Sequence, residues 1–345
     1  MKTAAFGLDI GTVAMKVVWL GQQGQNLVWR SSLIEKTPPK GMSSESPFDQ
    51  EAMVTAVRKI VNDAKITTRN VHISLADNQV FTKVIEMPIL SDKELSSAIY
   101  WEAEQYIPSP LPNMTLDWRV LRRDKEITSG SKMQVLLVAA PTLLIKKYQR
   151  MLELAGLSID TIETDILSVV RSIVVGKNFP TTLIINMGNH NTSIAIVKEN
   201  TIIFTYAIPV GGIAINQAIA TSFNFTIEQA EEYKKVYGIA DQSLGGKIGK
   251  AIEPILISLL TEVKKAHAFY DEKYKNESPI GQIVLSGGSA KLPGIDLFFV
   301  RNVGIETVIS NPWKMFKVMN VPKEIIDNGA EFSVAFGLAM KDYEQ

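Results

Sequence analysis

A chain of 345 residues has room for two or three domains, and a hydrophobic share of 46% fills their cores and excludes a disordered chain. Basic and acidic residues both number 36, so no net charge advertises a nucleic-acid partner. The absence of cysteine rules out a disulfide framework, a thiol nucleophile and a thiolate metal site, and is compatible with the cytoplasm.

Residues 4–34 read as a meander: a strand, a glycine turn, a strand at 16–20, a hairpin at 21–24 and a third strand at 26–34. The short apolar run ahead of Asp9 carries one Lys and no small-residue cleavage site, so it does not read as a signal peptide. A polar, proline-containing loop leads to a helix over about 50–64 with Met53, Val54, Val57, Ile60 and Val61 on one face. Strands follow at 71–75 and 80–86. The segment 87–157 reads as an inserted α+β subdomain: Ser91 and Glu94 form a capping box opening a helix to 106, then come strands at 116–121 and 134–140 and a helix to 155. On the first of these helices Leu95, Ala98, Ile99 and Tyr106 form a buried stripe. Trp101 points away from that stripe, either as a partner anchor or as a packing residue against the neighbouring subdomain.

The meander then repeats, with strands at 183–187, 192–198 and 201–208 and a helix from about 213. No charge occurs between positions 199 and 228, a length that would suit a membrane span. Pro209, Gly211 and Gly212 interrupt it, so it reads as a buried strand, a loop and a helix, and no direct membrane span is expected. Residues 222–281 are helix-rich. A strand at 282–285, the Ser286-Gly287-Gly288-Ser289 turn and an apolar helix at 331–341 complete the chain. The fold class is therefore α/β, a duplication with mixed sheets: a first domain at 1–180 carrying the insert, and a second at 181–345 carrying a helical subdomain.

The duplication is sharpest in its turns. Leu8-Asp9-Ile10-Gly11-Thr12 recurs 177 residues later as Ile185-Asn186-Met187-Gly188-Asn189. A glycine turn between two strands lets backbone N–H groups face one anion at close range. Two such turns on similar halves are suited to grip a phosphate chain from opposite sides, as in a nucleotide held in a cleft. The histidines at 72, 190 and 267 show no metal-ligand spacing. His190 lies in the second turn, where it reads as a solvated loop residue.

These residues resemble the actin-like ATPase superfamily, whose ribonuclease H-like domains flank a nucleotide cleft. Leu8 to Thr12 with Lys16 is similar to its first phosphate loop, and Ile185 to Asn189 with Thr192 to its second. Ile283 to Gly294, through Gly287 and Gly288, is similar to its adenosine loop, while 162–171 and 334–340 occupy the places of its two connecting helices. Within the superfamily the chain resembles the PilM family of type IV pilus assembly proteins. The carriers are Glu86-Met87-Pro88-Ile89-Leu90-Ser91-Asp92, Trp101-Glu102-Ala103-Glu104-Gln105-Tyr106-Ile107-Pro108, Leu116-Asp117-Trp118-Arg119, and Gly211-Gly212 with Ala230-Glu231-Glu232-Tyr233-Lys234.

The resemblance implies ATP and Mg²⁺ as cofactors. It makes Asp9 the residue that orders the waters of Mg²⁺, sets the backbone of Gly11 and Thr12 on the terminal phosphates, and brings Lys16 to them as a point charge. Gly188, Asn189 and Thr192 belong to the second phosphate loop, and Gly211, Gly212, Gly287, Gly288, Ser289 and Lys291 to the nucleotide site. Glu231 and Lys234, one helix face apart by three residues, flank ribose and adenine or else form a plain ion pair. Asn186 departs from the pattern, which has Asp there; an amide brings no charge to the metal, so hydrolysis is expected to be weak or absent. Glu163 and Asp165 either orient the attacking water or are structural.

The implied function is a cytoplasmic ATP-binding scaffold in which nucleotide closes the halves and tunes a surface for the N-terminal cytoplasmic peptide of a PilN-like inner-membrane protein. The peptide would bind near the junction of the first domain and the insert and bring the chain to the inner face of the membrane; self-association stays open. An FtsA-like division protein forming membrane-associated filaments is the alternative. It would want an amphipathic helix behind a linker, where this sequence has residues 341–345 directly after its last apolar helix. A small-molecule kinase would need a general base beside an acceptor pocket.

Overall fold

In the computed structural model, residues 4–123, 132–176, 178–239 and 246–343 are described. The first half opens with β1 (Phe6–Ile10), β2 (Ala14–Gln23) and β3 (Asn26–Lys36), an antiparallel meander, followed by α1 (Pro47–Asp63) and β4 (Asn70–Leu75). Next come β5 (Phe81–Pro88), α2 (Asp92–Glu104), β6 (Met114–Arg123) and β7 (Lys132–Pro141), then α3 (Thr142–Leu154), β8 (Ser158–Thr164) and α4 (Asp165–Ile173). The second half has β9 (Thr182–Met187), β10 (Thr192–Lys198), β11 (Thr201–Ile208), α5 (Gly212–Phe223), α6 (Ile227–Tyr237) and α7 (Lys247–Lys273). It continues through β12 (Gln282–Ser286), α8 (Ile295–Val303), β13 (Thr307–Ile309), α9 (Pro312–Met315), α10 (Lys323–Asp327) and α11 (Ser333–Ala339).

The two large sheets share one topology. Their orders are β3-β2-β1-β4-β8 and β11-β10-β9-β12-β13, each an antiparallel meander with two parallel strands added beside its first strand. The strands at the centre are buried on both faces: Phe6 and Leu8 of β1 and Leu183, Ile184 and Ile185 of β9 have no exposed surface. Between the sheets run α4 and α11. Ile166, Val169 and Ile173 of α4 pack on Ile184, Ala195 and Val284 of the second sheet, while Ala335, Phe336 and Ala339 of α11 pack on Val18 and Leu20 of the first. Arg171 ties the helices together by donating to the Gly337 carbonyl at 2.9 Å. The C-terminal helix thus returns to the first half, with short 3₁₀ turns at 329–332 and 340–343 where one continuous helix was expected.

The insert differs from its expected limits of 87–157. Its sheet, ordered β5-β7-β6, already includes Phe81, and its core joins Ile85, Leu95, Ile99, Met133, Val135 and Leu137. The helix α3 does not belong to it: Tyr148, Met151 and Leu152 are buried with Met53, Val57 and Ile60 of α1 in the first-half core. An amphipathic stripe announces that a helix packs without saying against which layer. The capping box at Ser91 and Glu94 is present, and the buried stripe of α2 is Leu95, Ile99 and Ala103, with Ala98 and Tyr106 half-buried.

Candidate functional site

The first glycine hairpin places Asp9 at the end of β1 directly opposite Lys16 on β2, and Lys16 Nζ meets Asp9 Oδ2 at 2.9 Å. Burial pulls the Lys16 pKa down, but Asp9 outweighs it and the net shift is upward, so the ammonium stays charged. In the second hairpin Asn186 on β9 stands opposite Ser193 on β10. Both turns are equally tight: a Cβ at Gly11 would lie 2.6 Å from the Ala14 carbonyl, and one at Gly188 would lie 2.8 Å from the Asn191 carbonyl. Thr37 Oγ1 braces the first turn on the Gly11 carbonyl at 2.7 Å, and Thr192 Oγ1 braces the second on the Val210 carbonyl at 2.8 Å. Thr12 stays exposed at the tip.

Around the second turn the remaining candidates converge. Backbone N–H groups of Gly212 and Ile213 donate to the carbonyls of Gly188 and Asn189, both at 2.9 Å, which docks the N-terminus of α5, capped by Gly211, onto the turn. Gly287 has φ +86°, and a side chain there would run into the Met187 carbonyl and Asn186. Ser289 Oγ donates to the Gly188 carbonyl at 3.3 Å. At Gly288 a side chain would meet nothing within 4 Å, so that face of the turn is open. Lys234 and Asn216 both donate to Glu231 Oε2 at 2.6 Å. Burial raises the Glu231 pKa but Lys234 prevails and holds it low. Lys291 is spoken for by Asn328 and Glu331, each at 2.6 Å.

Glu163, expected either to orient an attacking water or to be structural, sits in a buried ion-pair network. Its carboxylate takes both guanidinium nitrogens of Arg171 at 2.5 and 2.8 Å, Ser168 at 2.6 Å and Lys341 at 3.1 Å. Burial opposes its ionisation, yet these partners keep its pKa low, so it is a buried, neutralised anchor for α4 and α11. Asp165, at the first residue of α4, is buried beside Asp77 and Asp9. Its pKa stands well above the ordinary value because of burial, then because of Asp77 and Asp9. Asp77 went unrecognised in the sequence. It stands two residues beyond β4, accepts from Ser193 Oγ of the second half at 2.5 Å, and accepts from the Ile166 N–H at 3.2 Å. Burial raises its pKa to about 6, against the bonds from Ser193 and Ile166. An acid two residues past the end of an apolar strand was the signal available.

A groove of roughly 1140 Å³, with Glu163 and Thr164 in its wall, runs between β6 of the insert and β8 of the first half. Both strands are the last in their sheets, so each offers an unpaired edge. Its walls include Trp118, Val120, Leu136, Ile162 and Leu167, and Asn200 to Ile202 of the second half close one side. Trp101 is 76% exposed, which removes packing as its explanation, and it lies outside the groove's walls; its neighbour Tyr100 meets Trp118 edge to face at 6.3 Å. Among the described residues no helix is long and apolar enough to cross a membrane.

Comparison with known proteins agrees with this layout. The chain is 25% identical over 332 residues to the cell division protein FtsA of Streptococcus pneumoniae, covering 84% of this chain and 71% of FtsA. Its fold matches MreB 5 of Spiroplasma citri bound to AMPPNP with a TM-score of 0.56 at 14% identity, over 99% and 97% of the two chains. It matches the structure described as the PilM-PilN type IV pilus biogenesis complex with a TM-score of 0.85 at 25% identity, over 100% of both chains. The family described as type IV pilus assembly protein PilM matches residues 7–343. With that match across nearly its whole length, and with the duplicated actin-like fold in place, the chain belongs to the PilM family.

Proposed function

We propose that this chain is a cytoplasmic ATP-binding scaffold of type IV pilus assembly that holds the N-terminal segment of a PilN-like inner-membrane protein in the groove between β6 and β8. The groove itself carries the reading. Two unpaired strand edges face one channel, and an extended peptide can add to such an edge while its alternate side chains enter the apolar walls. The likeness to a PilM-PilN complex supports the partner's class. Such a partner would recruit the chain to the inner face of the membrane.

ATP suits the cleft. The Asn189 side-chain nitrogen is buried without a hydrogen-bond partner, the α5 N-terminus is docked beside it, and the Gly288 face is open for a ribose. Gly11, Thr12 and Lys16 would hold the terminal phosphates from the first half, and Gly188, Asn189 and Thr192 from the second. Glu231 and Lys234 would border the ribose and adenine. Among the described residues no three acids or histidines are grouped to hold a metal directly, so Mg²⁺ would arrive with the phosphates and be reached by Asp9 through water. Bound nucleotide would supply the charge that draws the halves together. Because the β10–β11 turn forms part of the groove wall, closure would alter the groove. Hydrolysis would be weak, since Asn186 brings no negative charge.

The FtsA-like reading rests on 25% identity to a division protein, and the match of residues 7–343 to the pilus family favours the scaffold. The test pairs two measurements on the full chain. Millimolar MgATP should raise the melting temperature by mass action, and a labelled N-terminal segment of the PilN-type protein should bind. Thr161→Arg, which puts a long side chain into the groove from β8, should lose the segment and keep the MgATP shift. No shift with MgATP refutes the cleft reading; unchanged segment affinity in Thr161→Arg refutes the groove.

A further inference from the structure

One buried carboxylate is bonded to both halves of the molecule. Asp77, in the loop after β4, is only 7% exposed, so water screens its bonds little. Its Oδ1 accepts from the N–H of Ile166, the second residue of α4, at 3.2 Å. Its Oδ2 accepts from Ser193 Oγ of β10 at 2.5 Å. A helix leaves its first N–H groups without partners of its own, and Thr164, in the capping position of α4, makes no side-chain cap bond. Asp77 therefore caps α4 from another element, with a charge that suits the positive end of the helix dipole.

The two groups that Asp77 joins lead to two different sites. Ser193 directly follows Thr192, whose hydroxyl braces the second glycine turn on the Val210 carbonyl. It also stands opposite Asn186 on β9. On the other side, α4 runs from its capped end into the groove, where Leu167 and Val170 form part of the wall. Asp165, the first residue of that helix, lies beside Asp9 of the first hairpin. The path from the second turn to the groove wall is thus covalent except where it crosses Asp77.

Resting on the cleft and groove readings above, we infer that Asp77 is the positioning residue that links nucleotide in the cleft to the segment in the groove. When the two hairpins hold one nucleotide, β10 stays against the first half and Ser193 stays on Asp77. Asp77 in turn holds the first turn of α4, and with it Leu167 and Val170, where the segment fits. Nucleotide therefore strengthens segment binding. Linkage is reciprocal, so the segment strengthens nucleotide binding by the same factor.

The test is a binding cycle on the full chain, run well below its melting temperature. The probes are the labelled N-terminal segment of the PilN-type protein encoded by the same organism, and a non-hydrolysable ATP analogue with Mg²⁺. Each is titrated with and without the other. In the wild type each should strengthen the other about fivefold or more. Ser193→Ala removes the bond across the halves and leaves the cap, and Asp77→Ala removes both. In either variant the two ligands should bind independently, each with an affinity on its own within about threefold of wild type. Asp77→Asn can still accept from the Ile166 N–H and donate to the Ser193 oxygen, so it should keep part of the linkage. Ile60→Val, in the first-half core away from Asp77, lowers stability and should keep all of it. The inference alone is overturned if the wild type binds both ligands independently, or if nucleotide weakens the segment. It is equally overturned if Ser193→Ala and Asp77→Ala retain the wild-type factor, or if Ile60→Val loses it to the same extent. A wild-type chain that binds no segment sinks the groove reading instead, and one that binds no analogue sinks the cleft reading.

Discussion

The two glycine hairpins share backbone geometry but handle charge in opposite ways. In the first, Asp9 and Lys16 face each other and neutralise one another at 2.9 Å. In the second, Asn186 takes the place of Asp9 and Ser193 that of Lys16, so the hairpin is neutral. Its hydroxyl is spent across the cleft, on Asp77 of the first half. The contrast shows that a duplicated turn conserves the anion-facing backbone while its side chains diverge. One copy keeps an internal ion pair, and the other joins the two halves.

The strongest way to break this comparison is to remove the cation. Lys16→Ala should cost about 3–5 kcal/mol, because it leaves the buried Asp9 carboxylate unpaired. Ser193→Ala at the equivalent position should cost about 1–3 kcal/mol, the range for losing one hydrogen bond to a charged group. Denaturant unfolding of both variants measures the gap, and equal losses would refute the asymmetry.

The next effect concerns pH. Asp77 has its folded pKa raised from 3.8 to about 6, which corresponds to about 3 kcal/mol. Between those values the folded state keeps a proton that the unfolded chain releases, so this group's contribution falls as pH rises from about 4 to about 6 and is gone above it. Glu163, held low, acts in the opposite sense: its stabilisation is present above the ordinary carboxyl range and lost as pH falls. Asp77→Asn should therefore remove a downward slope from the stability profile across that window. A profile identical to wild type from pH 4 to 7 would show that Asp77 does not carry it.

The smallest effect sharpens the comparison from the other side. Asn186→Asp restores to the second hairpin the acid that the first one has. Wild-type turnover should lie below the order of 1 s⁻¹, and the substitution should raise it about tenfold, or about 1.4 kcal/mol of barrier. Phosphate release under saturating MgATP reads this directly. A wild-type rate in the ordinary enzyme range would contradict the role given to Asn186.

Much of the architecture was legible because it is local. The meanders, the Ser91 capping box and the glycine turns are each written within a dozen residues. What misled was allegiance. The helix ending near 155 was counted with the insert, and only packing assigned it to α1. Glu163 and Asp165 are two positions apart at the strand-to-helix join, and sequence alone could not say which would meet Arg171 and Lys341 and which would lie beside Asp77 and Asp9.

By itself the sequence determined the duplicated strand–turn–strand units, since glycine, alternating apolar residues and caps act over a few neighbours. It determined equally that the second unit is uncharged, because Asn186 and Ser193 hold the places of Asp9 and Lys16. Tertiary structure decided everything that needs residues distant along the chain to meet. It brought Asp77 to Ser193 across 116 positions, sealed Glu163 between α4 and the C-terminal turn, and set two strand edges either side of one groove. The reason is physical: local propensity sets backbone shape, whereas burial, desolvation and charge pairing depend on which surfaces come together when the core closes.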